Sequence, residues 1–276
     1  MEAGTRRSGG LGKRVLSTLL LLPVFVWVVA YAPAWVFTLM ILVLGALGQW
    51  EFLRMFGRAG LPVLYGVGLA GGVAVTASFA VPELAPVAFS VVVLGVLAAS
   101  LARAGGPGVT WEPAATTLAG VCYVNWLLGH AVQLRALVAG VDWVLFLVWV
   151  TWVGETAAYL VGSTMGRHKL APAISPKKTV EGALAQLLIS PAAALAALPW
   201  LGPSVSGLEV IALGLALGVV GQVGDLVESA LKRSVGTKDT GHLIPGHGGV
   251  LDRLDGLLFN TPVLFYYVAY ARGAGA

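Results

Sequence analysis

Nine apolar runs, each about as long as a helix needs to cross a roughly 30 Å hydrocarbon layer, follow one another along this chain of 276 residues. They cover about 15–32, 35–53, 63–81, 84–102, 114–135, 143–165, 183–201, 208–227 and 256–271. Lipid offers no partner to backbone N–H and C=O groups, so runs of this kind fold as helices that bond internally. The expected fold is therefore all-α: a polytopic integral membrane protein with about nine transmembrane helices and one polar, cytoplasm-facing face. It is read as a single membrane domain over 1–276, with the N-terminal helices in 1–140 and the polar loops concentrated in 141–276. Glu51 and Asp225 soften the edges of the second and eighth runs. The 37 glycines and 14 prolines suit membrane helices, where close packing and local breaks are tolerated.

Arg6, Arg7, Lys13 and Arg14 precede the first run, and Ala30-Tyr31-Ala32 resembles a signal-peptide cleavage site. Eight further runs downstream favour a first transmembrane helix instead. Cys122 stands alone inside an apolar run, so no intrachain disulfide is expected. Basic residues in short loops set orientation. With the N-terminus in the cytoplasm, segments 1–14, 54–62, 103–113, 166–182 and 228–255 fall on one side. They hold 15 of the 17 Lys and Arg, leaving only Arg135 and Arg272 outside. The formal charge of +4 follows from this bias toward anionic lipid and gives no reason to invoke nucleic acid.

Only 11% of the residues are charged, yet acids, bases, histidines and glycines crowd the 27 residues from Ser229 to Asp255. If the eighth helix continues into this stretch, Asp225, Glu228, Ser229 and Lys232 share one face at i, i+3, i+4 and i+7. Two carboxylates on one stripe at a membrane border are a ligand pair for a hard cation such as Mg²⁺. An ion pair between Glu228 and Lys232 on a solvated helix end is the other reading. Asp225 lies deeper, where an intramembrane acid points to function. Gly236, Gly241, Gly246, Gly248 and Gly249 with Pro245 then exclude a regular helix over 234–249. A glycine-rich backbone feeding a helix N-terminus presents N–H groups to phosphate oxygens. Asp252 and Asp255 follow one turn apart, at the expected start of the ninth helix; capping accounts for one of them.

A third polar segment runs from Trp152 to Gly182. Glu155 lies within a span, with Tyr159 one turn on. Gly162 and Gly166 form a GxxxG packing pair, and the P-loop pattern is not met. Lys177 and Lys178, with the Ser175 and Thr179 hydroxyls, sit just before the seventh helix and suit the holding of phosphates. A positive-inside anchor with Thr179 as N-cap is the alternative, and it accounts for Arg167 and Lys169. Glu51 and Arg54 are spaced to pair across one turn. Asn125 and His130 are expected to hydrogen-bond to neighbouring helices. No Cys/His zinc spacing and no internal repeat is found.

The run Ser229-Ala-Leu-Lys-Arg, then Lys238-Asp239-Thr-Gly, Ile244-Pro245 and His247-Gly-Gly-Val-Leu-Asp252-Arg253-Leu-Asp255, resembles the C-terminal signature of the phosphatidate cytidylyltransferases. Lys169-Leu-Ala-Pro-Ala-Ile-Ser-Pro-Lys-Lys-Thr-Val-Glu-Gly182 resembles a second stretch of that family. The first 140 residues match only in character. Where family members commonly carry Asp in Trp-x-x-Asp-x-x-Ala-Tyr, this chain has Glu155. The extra methylene moves the charge and puts a direct catalytic role there in doubt.

The resemblance implies transfer of the CMP moiety of CTP to phosphatidate, with Mg²⁺, by a homodimer in the cytoplasmic (inner) cell membrane. Its catalytic set on this chain would be Asp225, Lys232, Arg233, Lys238, Asp239, His247, Asp252 and Arg253. Substrate would be bound by Ser175, Lys177, Lys178, Thr179, Glu181, Gly248 and Gly249. Metal would be held by Asp225 and Asp252, with Asp255 or Glu228 in support. The reaction joins anions and expels another, so cations and metal ions are what it needs most. The lipid phosphate is already largely ionised near pH 7 and needs no strong base. Two competing readings are a cytidylyltransferase or kinase for another lipid such as a polyprenol, and a transporter using Asp225 and Glu155 as an ion path.

Overall fold

The computed structural model describes residues 22–103, 111–241, 243 and 248–273. Arg6, Arg7, Lys13, Arg14, part of the first expected span, His242, Pro245, Gly246 and His247 lie outside the described residues. Residues 22–30 are helical. There follow α1 (Ala34–Arg58), α2 (Tyr65–Ser78), α3 (Leu84–Arg103) and α4 (Glu112–Gly120). A π turn, Val121–Trp126, leads from α4 into α5 (Leu127–Ala136). Then come α6 (Gly140–Thr164), β1 (Lys169–Ala171), β2 (Ser175–Thr179), α7 (Val180–Ala196), α8 (Gly207–Ser234) and α9 (Asp255–Tyr266).

Among the described residues five helices are long and apolar enough to cross a membrane: Ala34–Arg58, Leu84–Arg103, Gly140–Thr164, Val180–Trp200 and Gly207–Ser234. The chain is a mainly helical protein of membrane type. Helix α2 is apolar but has 14 residues, short of the roughly 20 that a span asks for. The all-α expectation needs one correction. Residues 169–179 form an antiparallel hairpin, with Lys169 opposite Thr179 and Ala171 opposite Ser175. Pro172 and Pro176 bar a helix there, and antiparallel strands close through a short turn.

The chain divides into two compact units, Met1–Gly129 with Val235–Leu254, and His130–Ser234 with Asp255–Ala276. In the first, polar groups and glycines let the helices approach closely. A Cβ on Gly68 would fall 2.8 Å from Thr117 Cγ2 and 2.9 Å from Leu53 Cδ1. The Asn125 amide donates to Thr76 Oγ1 at 3.1 Å, the helix-to-helix bond expected of it. Val235–Leu254, expected with the second half of the chain, packs instead with these N-terminal helices.

The second unit holds α6, the hairpin, α7, α8 and α9. Helices α6 and α7 meet backbone to backbone: a Cβ on Gly182 would lie 2.6 Å from the Ala158 carbonyl and 3.2 Å from Gly162 Cα. Gly162 is thus a packing residue, as its GxxxG spacing predicts. Thr179 caps α7, its hydroxyl accepting from the Gly182 N–H at 3.2 Å. His130 Nε2 lies 3.0 Å from the Tyr266 hydroxyl, and Asn260 donates to Thr151 Oγ1 at 2.9 Å. Arg272 pairs with Glu209 and also donates to the Ser204 carbonyl at 3.2 Å, tying the end of the described chain to the start of α8.

Candidate active site

A cavity of about 600 Å³ opens in the second unit where the hairpin meets helices α6, α7 and α8. Its charged lining is Glu155, Lys169, Lys177, Lys178 and Asp225; Tyr159, Thr179, Gln186 and Gln222 add polar groups. The hairpin supplies the lysines, Lys169 from β1 and Lys177 and Lys178 from β2. Lys178 Nζ sits 2.6 Å from Asp225 Oδ2, with the two side chains 22% and 32% exposed. Partial burial on both sides makes this a stronger link than a surface pair. It joins two residues that belong to separate motifs of the sequence.

Helix α8 does continue through Asp225, Glu228, Ser229 and Lys232, so the shared face predicted from their spacing exists. Lys232 Nζ lies 3.1 Å from Glu228 Oε1. That is the i,i+4 ion pair, but it is no solvated helix end, because Glu228 is only 1% exposed. Asp255, the first residue of α9, has Asp225, Glu228 and Lys232 as electrostatic neighbours. Three carboxyl groups thus gather around one or two ammonium groups inside the second unit. Arg233 donates through Nε to the Ile174 carbonyl at 3.3 Å, bracing the hairpin turn.

The other candidates have different surroundings. Glu181 holds His168, with its Oε1 2.6 Å from Nδ1 and both oxygens 3.2 Å from the His168 N–H. Glu181 and Ser175 are absent from the cavity lining. Lys238, Asp239 and Arg253 are exposed. Asp252 and Asp255 do not share the start of one helix, as their spacing predicted. Asp252 lies in a 3₁₀ turn, Leu251–Arg253, within the first unit, while Asp255 begins α9 in the second. Leu254 ends the turn between them, so the helical register is not continuous. His247 lies outside the described residues.

In the first unit, Asp252 Oδ2 accepts from the Thr240 N–H at 3.1 Å, the Thr240 hydroxyl at 3.0 Å and the Gly249 N–H at 2.9 Å. Glu51 reaches the same segment and takes the Leu251 N–H at 2.8 Å. It does not pair with Arg54, whose guanidinium lies 4.6 Å over the Trp50 ring. The sequence motifs leave out this role of Glu51, and with it Gln186 and Gln222. A signal for all three is nonetheless present: they are polar groups within apolar runs, where each demands a partner. Lys169, expected as an anchor, lines the cavity.

The family model described as the cytidylyltransferase family matches residues 12–271. This chain belongs to the cytidylyltransferase family. Among curated proteins it is 40% identical over 151 residues to a phosphatidate cytidylyltransferase of Staphylococcus aureus (strain COL), covering 55% of this chain and 57% of that one. It is 41% identical over 125 residues to the phosphatidate cytidylyltransferase of Staphylococcus haemolyticus (strain JCSC1435), covering 45% and 48%. It is also 40% identical over 154 residues to the uncharacterized protein YnbB of Escherichia coli (strain K12), covering 56% and 51%. The chain spans about half the length of the curated relatives it matches.

The Glu155 carboxyl packs against α9: a Cβ on Gly256 would run into Glu155 Oε1 and lie 3.2 Å from Thr151 Cγ2. The longer acid and the glycine are therefore matched in size. Gly256→Ala is expected to lower turnover about tenfold by displacing Glu155, since small misplacements near a site carry costs of this order or more. Glu155→Asp/Gly256→Ala should recover most of that loss, because retracting the carboxyl makes room. Initial rates of the two variants compared with Glu155→Asp alone check the pairing, and no recovery would refute it.

Proposed function

We propose that this chain transfers the CMP moiety of CTP to phosphatidate, giving CDP-diacylglycerol and pyrophosphate. The observation that carries the reading is the cavity of the second unit, where Lys169, Lys177 and Lys178 face Asp225 and Glu155 at the junction of a polar hairpin with apolar helices. Family membership and relatives bearing the name phosphatidate cytidylyltransferase support the choice of substrates. In the reaction a phosphatidate phosphate oxygen attacks the α-phosphorus of CTP. A new P–O–P link forms, the bond to the β-phosphate oxygen breaks, and pyrophosphate leaves with its electron pair. Lys169, Lys177 and Lys178 balance the charge of the phosphates. The sequence motifs add Lys232 and Arg233 as reacting groups of the second unit, with Ser175, Thr179 and Glu181 proposed to bind substrate there. Lys238, Asp239, Arg253, Gly248 and Gly249 are the candidates of the first unit, and His247 lies outside the described residues.

Mg²⁺ is the expected cofactor; the carboxylates that would hold it are Asp225 with Asp255 or Glu228 in the second unit, and Asp252 in the first. Among the described residues no three His, Cys, Asp or Glu side chains form a ready-made metal cage. Mg²⁺ asks for less, since it is commonly bound by one or two carboxylates together with water and substrate phosphates. Asp225 beside Asp255 fits that demand, because two acids held close are favoured by a cation between them. When bound, the ion supplies charge neutralisation at the phosphates. The acyl chains remain in lipid while CTP enters from the cytoplasm, the side favoured by the basic loops. The working form is a homodimer in the cytoplasmic membrane.

Purified protein in detergent with CTP, Mg²⁺ and phosphatidate is expected to release pyrophosphate and form a CDP-lipid. Release with a polyprenyl phosphate but not with phosphatidate would move the substrate to another lipid. No nucleotide turnover with any lipid phosphate would leave transport as the better reading.

A further inference from the structure

Glu51 is a carboxylate with 0% exposure in the middle of an apolar helix, and the reaction proposed above makes no use of it. Such a group is costly to bury unless hydrogen bonds meet it. The bonds that meet it all come from the segment bearing Asp252. Its Oε2 takes the Leu251 N–H at 2.8 Å and lies 3.4 Å from the Thr240 hydroxyl. Gly249 rests on the carboxyl group: a Cβ there would lie 2.7 Å from Oε2 and 2.9 Å from Oε1. Gly241 leans on Oε1 in the same way. Thr240 and Gly249 are the residues whose N–H groups hold Asp252 Oδ2. The Thr240 hydroxyl lies between the two acids, 3.0 Å from Asp252 Oδ2 and 3.4 Å from Glu51 Oε2.

We propose that Glu51 is a positioning residue for Asp252: it clamps Thr240, Gly249 and Leu251 to α1, and so fixes the direction of the Asp252 carboxylate. Its Oε2 accepts from Leu251 and lies beside the Thr240 hydroxyl, while Gly241 and Gly249 pack on the carboxyl group, so one side chain touches both ends of the segment, 240–241 and 249–251. Neutral side chains do this less well, because bonds to an ionised acceptor are about twice as strong. Helix α1, 25 residues long, gives the clamp a rigid base. The proposal rests on the reading of Asp252 as a metal ligand, and outer residues that orient such a ligand carry effects of about 10–100-fold on affinity or activity.

The test uses the full chain in lipid nanodiscs. Glu51→Gln is expected to speed hydrogen exchange at the Thr240, Gly249 and Leu251 amides in the absence of metal and nucleotide. It should also lower kcat about 10–100-fold and raise the half-saturating Mg²⁺ concentration, with KM for CTP changed less than threefold. Glu51→Asp, which keeps the charge, should recover part of the loss. Unchanged exchange at those amides would overturn the proposal, as would a fall in kcat with no change in Mg²⁺ requirement. If Glu51→Gln does not fold, Thr240→Val removes the shared hydroxyl and must show the same two shifts; neither shift would be a refutation. Asp252→Asn separates the two readings. Full turnover in that variant removes Asp252 from the chemistry, whereas the exchange result still decides whether Glu51 holds the segment.

Discussion

Asp225→Asn is expected to lower the rate of pyrophosphate release by about 10³-fold while leaving the protein folded. Two losses combine. The carboxylate that would hold Mg²⁺ becomes a neutral amide, and several kcal/mol of charge stabilisation in the transition state, about tenfold for each 1.4 kcal/mol, goes with it. Lys178, 2.6 Å from Asp225 Oδ2, also loses its ionic partner and is no longer held at the cavity wall. Lys178→Met should therefore be milder than Asp225→Asn, and the double variant no worse than Asp225→Asn alone, because the two act as a unit. Steady-state rates with CTP and phosphatidate, beside elution volume and melting temperature, check this. A loss below tenfold for Asp225→Asn would take Asp225 out of the site.

Asp252→Asn should have an effect of similar size for a different local reason. Its Oδ2 accepts from Thr240 twice and from Gly249 once, and the carbonyl oxygen of an asparagine keeps acceptors for those donors. The segment then stays seated while the negative charge disappears. The expected result is an about 10³-fold lower turnover with an unchanged melting temperature. Near-normal turnover would mean that Asp252 serves only to close its own segment.

Five long helices are legible in the sequence because hydrocarbon demands a long apolar run and internal hydrogen bonding, and both are written locally in the residues. The face of α8 bearing Asp225, Glu228 and Lys232 is legible too, since helical spacing alone places them. The partners are not. Nothing within one turn of Glu51 points to Leu251, and the local rule offers Arg54, which settles over Trp50. Lys178 reads as a phosphate ligand, while its link to Asp225 depends on how a hairpin folds beside α8. The break between Asp252 and Asp255 escapes for a related reason. Three-residue spacing reads as one helical turn unless tertiary packing divides the two residues, and here each belongs with a different set of helices.

The long reach of the Glu51 clamp has a bearing on biosynthesis. Glu51 and Leu251 are 200 positions apart, so at about 5–20 residues per second a ribosome makes the acid roughly 10–40 s before its amide partner exists. Throughout that interval the nascent helix carries a charge with no donor from this segment to receive it. Final seating of that hydrophobic rod must wait for a partner made 200 residues later.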